Sequence, residues 1–194
     1  MTDRGAALGF RPHTYWTAAV AVRDASGAAG VLARHKLVFA AGSERSVYHQ
    51  AAELGVGAST DALLEKVRRA VVANARAGIE RLLEVLARDG IAVTFAAAPA
   101  GGKKMPAMAD IIRVHTLQHR AEGEFYRDCV AEACQSLGLA VSRPIEKELP
   151  ALACDKLGVS RAALDAQLKD MGAKLGSPWS EDQRLATLAA WTAL

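Results

Sequence analysis

Hydrophobic and polar positions divide the chain into short apolar runs near its start and long stretches of helical periodicity after them. Residues 8–12 (LGFRP) suit a short strand with its turn, and residues 15–23 (YWTAAVAVR) have strand composition. Asp24 to Gly27 is a run of residues that tolerate tight backbone geometry, and residues 30–41 return as a strand, which predicts an antiparallel meander. Residues 47–54 read as a short helix or a loop segment, and residues 55–59 (GVGAS) as a break. Beyond it Leu64, Val67, Val71, Ile79, Leu82 and Leu86 recur at helical spacing. Ser59 or Thr60 can cap this helix, Asp61 favours its first turn, Asp89-Gly90 ends it, and Gly78 marks a bend or a close contact. Residues 91–98 (IAVTFAAA) form an apolar run without alternation, as expected of a central strand with helices on both faces.

Residues 99–106 (PAGGKKMP) make a loop at that strand's C-terminal end, where sites are built in open α/β sheets. The periodicity then predicts one long helix over residues 108–137. At about 100° per residue, Met108, Ile111, Ile112, Tyr126, Cys129, Val130, Ala133 and Leu137 share a face. His115, His119 and Glu122 fall within that apolar stripe, whereas Arg113, Arg120, Glu124, Arg127 and Asp128 fall outside it, where they are expected to be solvated. Gly138 ends the helix, residues 139–143 read as a last strand, and residues 146–157 and 161–171 read as helices, the second capped by Ser160 and ended by Gly172. Pro178 and Trp179 lead into a final helix, for which Ser180 and Gln183 form a capping box.

This order predicts an α/β fold with a mixed five-stranded sheet, three antiparallel strands followed by strand–helix units, and helices on both faces. Residues 1–194 are expected to form a single domain, ample for a sizeable core. An apolar fraction of 51% fits a globular chain rather than a disordered one, and no apolar run is long enough to span a bilayer. The first nine residues lack the charged-then-apolar pattern of a secretory signal, and Cys129, Cys134 and Cys154 are odd in number without CxxC spacing; both point to a reduced, cytoplasmic protein. The net charge of +3 permits nucleic-acid binding without demanding it.

Several stretches together resemble the RuvC-type Holliday-junction resolvases of the ribonuclease H-like superfamily. Leu8-Gly9-Phe10-Arg11-Pro12 followed by residues 17–22 (TAAVAV) is similar to their opening strand, turn and second strand. Residues 93–98 are similar to their central strand, which ends in a catalytic Glu. Residues 121–138 with Leu139-Ala140-Val141 resemble their alanine-rich helix and last strand, and residues 178–194 resemble their closing helix, which opens on acids. The resemblance implies catalysis by carboxylates that hold two divalent metal ions. The departures fall on those carboxylates. Arg11 stands at the opening strand's acidic position and Ala98 at the central strand's end; only Glu181 and Asp182 stand where the final helix's acids are expected. An Arg there repels a cation and can instead hold a carboxylate.

Two readings of His115, His119 and Glu122 follow from their spacing. Histidines at i and i+4 with a carboxylate one turn on can ligate one divalent ion (Mg, Mn or Zn), although Thr116-Leu117 breaks any HExxH pattern. Alternatively they form a buried polar network in which Glu122 pairs with an Arg, Arg11 being the natural partner, and the histidines bond backbone or Tyr126. Glu181 and Asp182 are either site acids or favourable charges at a helix N-terminus. Lys103, Lys104, Arg113 and Arg11 are the candidates for contact with structured DNA or RNA, against a solvated-face reading for the arginines. Nothing pairs His13, His35 or His49, and Trp16, Trp179 and Trp191 read as core or interface anchors, the apolar last helix being a candidate homodimer face.

The residues thus support three functions. One is a resolvase-like nucleic-acid-binding protein without efficient cleavage. Another is a metal-dependent nuclease or phosphodiesterase with a rebuilt site, in which Glu122, Asp182 and His119 are catalytic and His115, His119, Glu122 and Asp182 are ligands. The third is a structural dimer acting through protein contacts.

Overall fold

A computed structural model describes residues 5–25 and 28–194. Its five strands are β1 (Ala6–Pro12), β2 (Trp16–Ala25), β3 (Ala28–Val38), β4 (Val93–Ala97) and β5 (Ala140–Ser142). Its helices are α1 (Val47–Leu54), α2 (Ala58–Arg88), α3 (Met108–Arg113), α4 (His115–Ser136), α5 (Leu149–Leu157), α6 (Arg161–Leu175) and α7 (Glu181–Ala193). The centre of the turn expected between β2 and β3, residues 26–27, lies outside the described residues, as do residues 1–4 of the expected signal-free start.

The sheet has the order β3-β2-β1-β4-β5. The meander pairs β1 with β2 and β2 with β3 antiparallel, while β4 joins β1 and β5 joins β4 in parallel. This is the mixed sheet that the order of elements predicts. Alternate residues of β1 feed two cores. Leu8 and Phe10 pack with α2 and α4 on one face, and Ala7 packs with α5, α6 and α7 on the other. The many alanines have a geometric consequence. Gly9 of β1 lies against the backbone of α7 at Ala186 and Ala190, so that helix rests on the strand with no side chain between them.

Several sequence expectations are corrected. The helix over residues 108–137 is two helices, because β-branched Val114 is extended (φ −122, ψ 108). The break is stable because the buried Gln118 side chain donates to the Ile112 carbonyl (2.8 Å), an end group that would otherwise lack a partner. Helix α2 begins with Gly57 as its cap, and Thr60 is instead buried with its hydroxyl donating to the Gly55 carbonyl. It runs unbroken through Gly78, whose nearest neighbour outside the helix is the Leu37 side chain at ordinary contact distance. Strand β4 is buried only at its C-terminal half, since Thr94 and Phe95 are exposed. Helix α6 passes Gly172 and ends at Leu175. The Ser180–Gln183 capping box forms as expected. Of the two readings of Trp191, core or interface anchor, the fold takes the first: it is buried within the chain.

Among the described residues no helix is long and apolar enough to cross a membrane. Cys129 and Cys134 are buried free thiols, and burial pushes both up to about 12.

Candidate functional site

Strand β1 ends by delivering Arg11 to the face that α7 covers, since Arg11 has the parity of Ala7 and Gly9. Close packing of α7 on Gly9 brings the start of that helix, and with it Asp182, to the same place. Arg11 Nε lies 3.6 Å from Asp182 Oδ1, and Arg11 Nη2 lies 3.5 Å from Glu146 Oε1. His13 completes the link: its Nε2 lies 2.8 Å from Asp182 Oδ1, and Arg11 Nη1 lies 2.9 Å from that nitrogen and 3.2 Å from Nδ1. The ring is held flat against Trp16, with centroids 4.3 Å apart.

The network continues onto α4. Glu146 accepts from Arg127 Nη2 (3.1 Å), Arg127 Nη1 bonds Glu124 (3.2 Å), and Glu124 accepts from the Gly101 backbone N–H (2.9 Å). Side chains of Arg11, Arg127, Glu124, Glu146 and Asp182 are all about four-fifths buried. Three carboxylates and two guanidinium groups therefore lie along the edge where β1 and β4 end, cross-linking β1, α4, α7 and the segment after β5. Glu124 and Arg127 are not solvated, contrary to their position outside the apolar stripe. The stripe predicts which face of α4 meets the sheet, and these two residues flank it where the loop after β4 folds over them.

A second cluster joins α4 to α1. Glu122 is 2% exposed. Its Oε1 accepts from the Tyr48 backbone N–H (3.2 Å) and from His49 Nδ1 (2.8 Å), and its Oε2 lies 3.7 Å from His119 Nδ1. His119 Nε2 lies 3.1 Å from His115 Nε2. One potential ligand atom from each of His49, His115 and His119 lies within 4.8 Å of the other two; among the described residues this is a group able to hold a metal ion.

The structure thus separates residues that the sequence grouped. Asp182 belongs to the Arg11 network, and Glu122 to the α1–α4 cluster. Arg11 does not pair with Glu122; it pairs with Glu146, Asp182 and His13. His115 and His119 are exposed rather than core-facing; both lie in the first turns of α4. They do not bond Tyr126, whose hydroxyl donates to the Glu44 carbonyl and whose phenol burial pushes upward, with Glu122 adding to the shift. Lys103, Lys104 and Arg113 are exposed; the two lysines lie in the loop after β4, which Arg120 pins by donating to the Lys104 carbonyl (3.0 Å), and Arg113 ends α3. Sequence reasoning missed His13, His49, Glu146 and Arg127. His13 had a usable signal, two residues after Arg11 beside the chain's first Trp. His49 and Glu146 are joined to their partners only by the tertiary fold.

The fold and its polar edge define an α/β protein of ribonuclease H-like architecture. No family model matches the chain, and no curated protein matches it in sequence. Solved structures share its fold, two of RuvC among them. The structure of Thermus thermophilus RuvC in complex with a Holliday junction substrate aligns with a TM-score of 0.55 at 13% identity, over 97% of this chain and 92% of that one. A further T. thermophilus RuvC structure aligns with a TM-score of 0.51 at 13% identity, over 96% and 91%.

Proposed function

We propose that this chain is a resolvase-like protein that binds structured nucleic acid, a four-way junction foremost, without cutting it. The observation that carries this reading is the Arg11 guanidinium between Asp182 and Glu146. A pair of divalent ions, which the resemblance implies, does not fit there. The carboxylates that would ligate them are already engaged by a fixed organic cation, and Ala98 offers no donor at the end of β4. In this reading an ion network stands in place of the catalytic acids.

Binding itself needs phosphate contacts around the edge. Lys103 and Lys104 supply exposed cations in the loop after β4, and Arg113 one at the end of α3. A cleft beside the start of α7 adds Lys169 and Arg184, with Arg161 there paired to Asp165. The reading places the protein in the cytoplasm, where a junction would be met.

The test is a fluorescence titration of a labelled four-way DNA junction against duplex of equal length, at several salt concentrations with Mn2+ present, followed by a denaturing gel. Junction-selective, salt-weakened binding without product is expected. Replacing Lys103 and Lys104 together by Ala should reduce the salt slope by about two. Strand cleavage would overturn the non-hydrolytic part. Absence of binding at low salt would overturn the whole and leave a scaffold that acts through protein contacts.

A further inference from the structure

We infer that His49, His115 and His119 form a site for zinc or a similar late first-row divalent ion, with a fourth position open to water. Three neutral imidazoles are the donors such ions prefer. The spacing is close to what the ion needs: a tetrahedral zinc with bonds of about 2.05 Å sets its nitrogens about 3.3 Å apart. His115 Nε2 and His119 Nε2 are already 3.1 Å apart, and His49 completes a triangle no wider than 4.8 Å. Small movements of the exposed His115 and His119 side chains close the remaining gap while His49 keeps its bond to Glu122.

What distinguishes this group from a chance surface cluster is Glu122. Ligating histidines generally pass their second N–H to a carboxylate or carbonyl, which fixes the tautomer and aims the ring. Glu122 does this for His49, through Nδ1 at 2.8 Å, and its other oxygen faces His119 Nδ1 at 3.7 Å, at ion-pair range. Both rings therefore turn Nε2 away from the buried carboxylate, toward the side where His115 Nε2 lies. Glu122 is in turn anchored by the Tyr48 N–H at the start of α1, so the three donors sit on two helices locked by one buried group. Three protein ligands and an exposed face leave a coordination position for water or for an anionic oxygen. The site shares no residue with the Arg11 network and does not rest on the nucleic-acid reading.

The experiment uses the full chain, freed of metal and without nucleic acid. Zinc is titrated in competition with a chromophoric chelator, and Co2+ is added separately to record its visible absorption. One equivalent per chain is expected, with Co2+ bands of four- or five-coordinate nitrogen ligation. His115→Ala and His119→Ala are at exposed positions and should fold normally while losing stoichiometric binding. Glu122→Gln should weaken zinc by about 10- to 100-fold, as loss of an orienting carboxylate does elsewhere. His35→Ala, at an exposed position on β3, should change nothing. Absence of stoichiometric binding, or binding unchanged in both His115→Ala and His119→Ala, would overturn the site.

Discussion

The contact of α7 with β1 through Gly9 makes a demanding prediction. A Cβ at position 9 would lie 1.9 Å from the Ala186 carbonyl oxygen and 2.4 Å from the Ala190 nitrogen, where real Cβ contacts stay above 3.0 Å. Both neighbours are helix backbone, so no side chain can swing aside; the helix must move away by about 1 Å to admit one methyl group. Ala186, Ala189 and Ala190 are fully buried on that face, and a gap of about 1 Å forfeits up to half of each dispersion contact across it. Gly9→Ala should therefore cost about 4 kcal/mol, toward the upper end of overpacking effects. For a chain of this size that is a fall in Tm of about 8–16 °C. Gly78→Ala is the matched control, since its methyl would meet only the Leu37 side chain at 3.7 Å within α2. It should raise stability by about 0.5–1 kcal/mol through helix propensity. Thermal unfolding by circular dichroism or calorimetry reads both. Equal Tm values for Gly9→Ala and the parent chain would refute this packing, and with it the placement of Asp182 beside Arg11.

Other expectations follow from single contacts. Glu122 caps α1 from α4, because Ser46 makes no side-chain cap bond of its own, so Glu122→Ala should lower stability by about 2–4 kcal/mol and Glu122→Gln by less than half of that, both measurable by urea unfolding. Burial holds the Cys129 and Cys134 thiols near about 12 against an ordinary value of 9.0. Above pH 9 the unfolded chain releases thiol protons that the folded chain keeps, so stability falls with rising pH, by about 1.4 kcal/mol per unit for each thiol. Urea midpoints unchanged between pH 9 and 10.5 would contradict that burial. Arg34 donates to the carbonyls of Leu175, Gly176 and Pro178, joining β3 to the lead-in of α7. Arg34→Ala should cost about 1–2 kcal/mol and speed limited proteolysis at residues 175–178.

The order of elements was legible because periodicity and punctuation are local. Gly90 and Gly138, and the Ser180–Gln183 box, mark ends that the chain obeys. The break at Val114 was not legible, because its stability depends on a Gln118 side chain reaching back to the Ile112 carbonyl, a bond that periodicity does not encode. The exposure of His115 and His119 was not legible either: within α4 both share the azimuth of Glu122 and Tyr126, and their place in the first turns of that helix, beside the His49 ring of α1, leaves them at the surface. Arg11 was legible as an anomaly, a cation at the end of an opening strand. Its partners were only half legible. Asp182 follows from the order of elements, whereas Glu146 and Arg127 come from a turn and a helix flank that only the folded edge brings together.

Helix α4 ties these observations into one argument about where binding energy can come from. It sends Glu122 toward α1 and, two residues later, Glu124 toward the sheet edge, about 200° around the helix axis. The edge is thereby closed by its own charges. Arg11 and Arg127 already hold carboxylates at ion-pair distance, so exchanging these for a phosphate trades one largely buried pair for another and gives little net affinity. On the proposed reading, phosphate affinity comes instead from cations with no carboxylate to surrender; Lys103, Lys104 and Arg113 pair with none among the described residues. Arg11→Ala should accordingly alter stability more than junction affinity, while the paired lysine substitutions do the reverse. If Arg11→Ala abolished junction binding in a chain that still folds, the network would be a phosphate clamp rather than a structural lock.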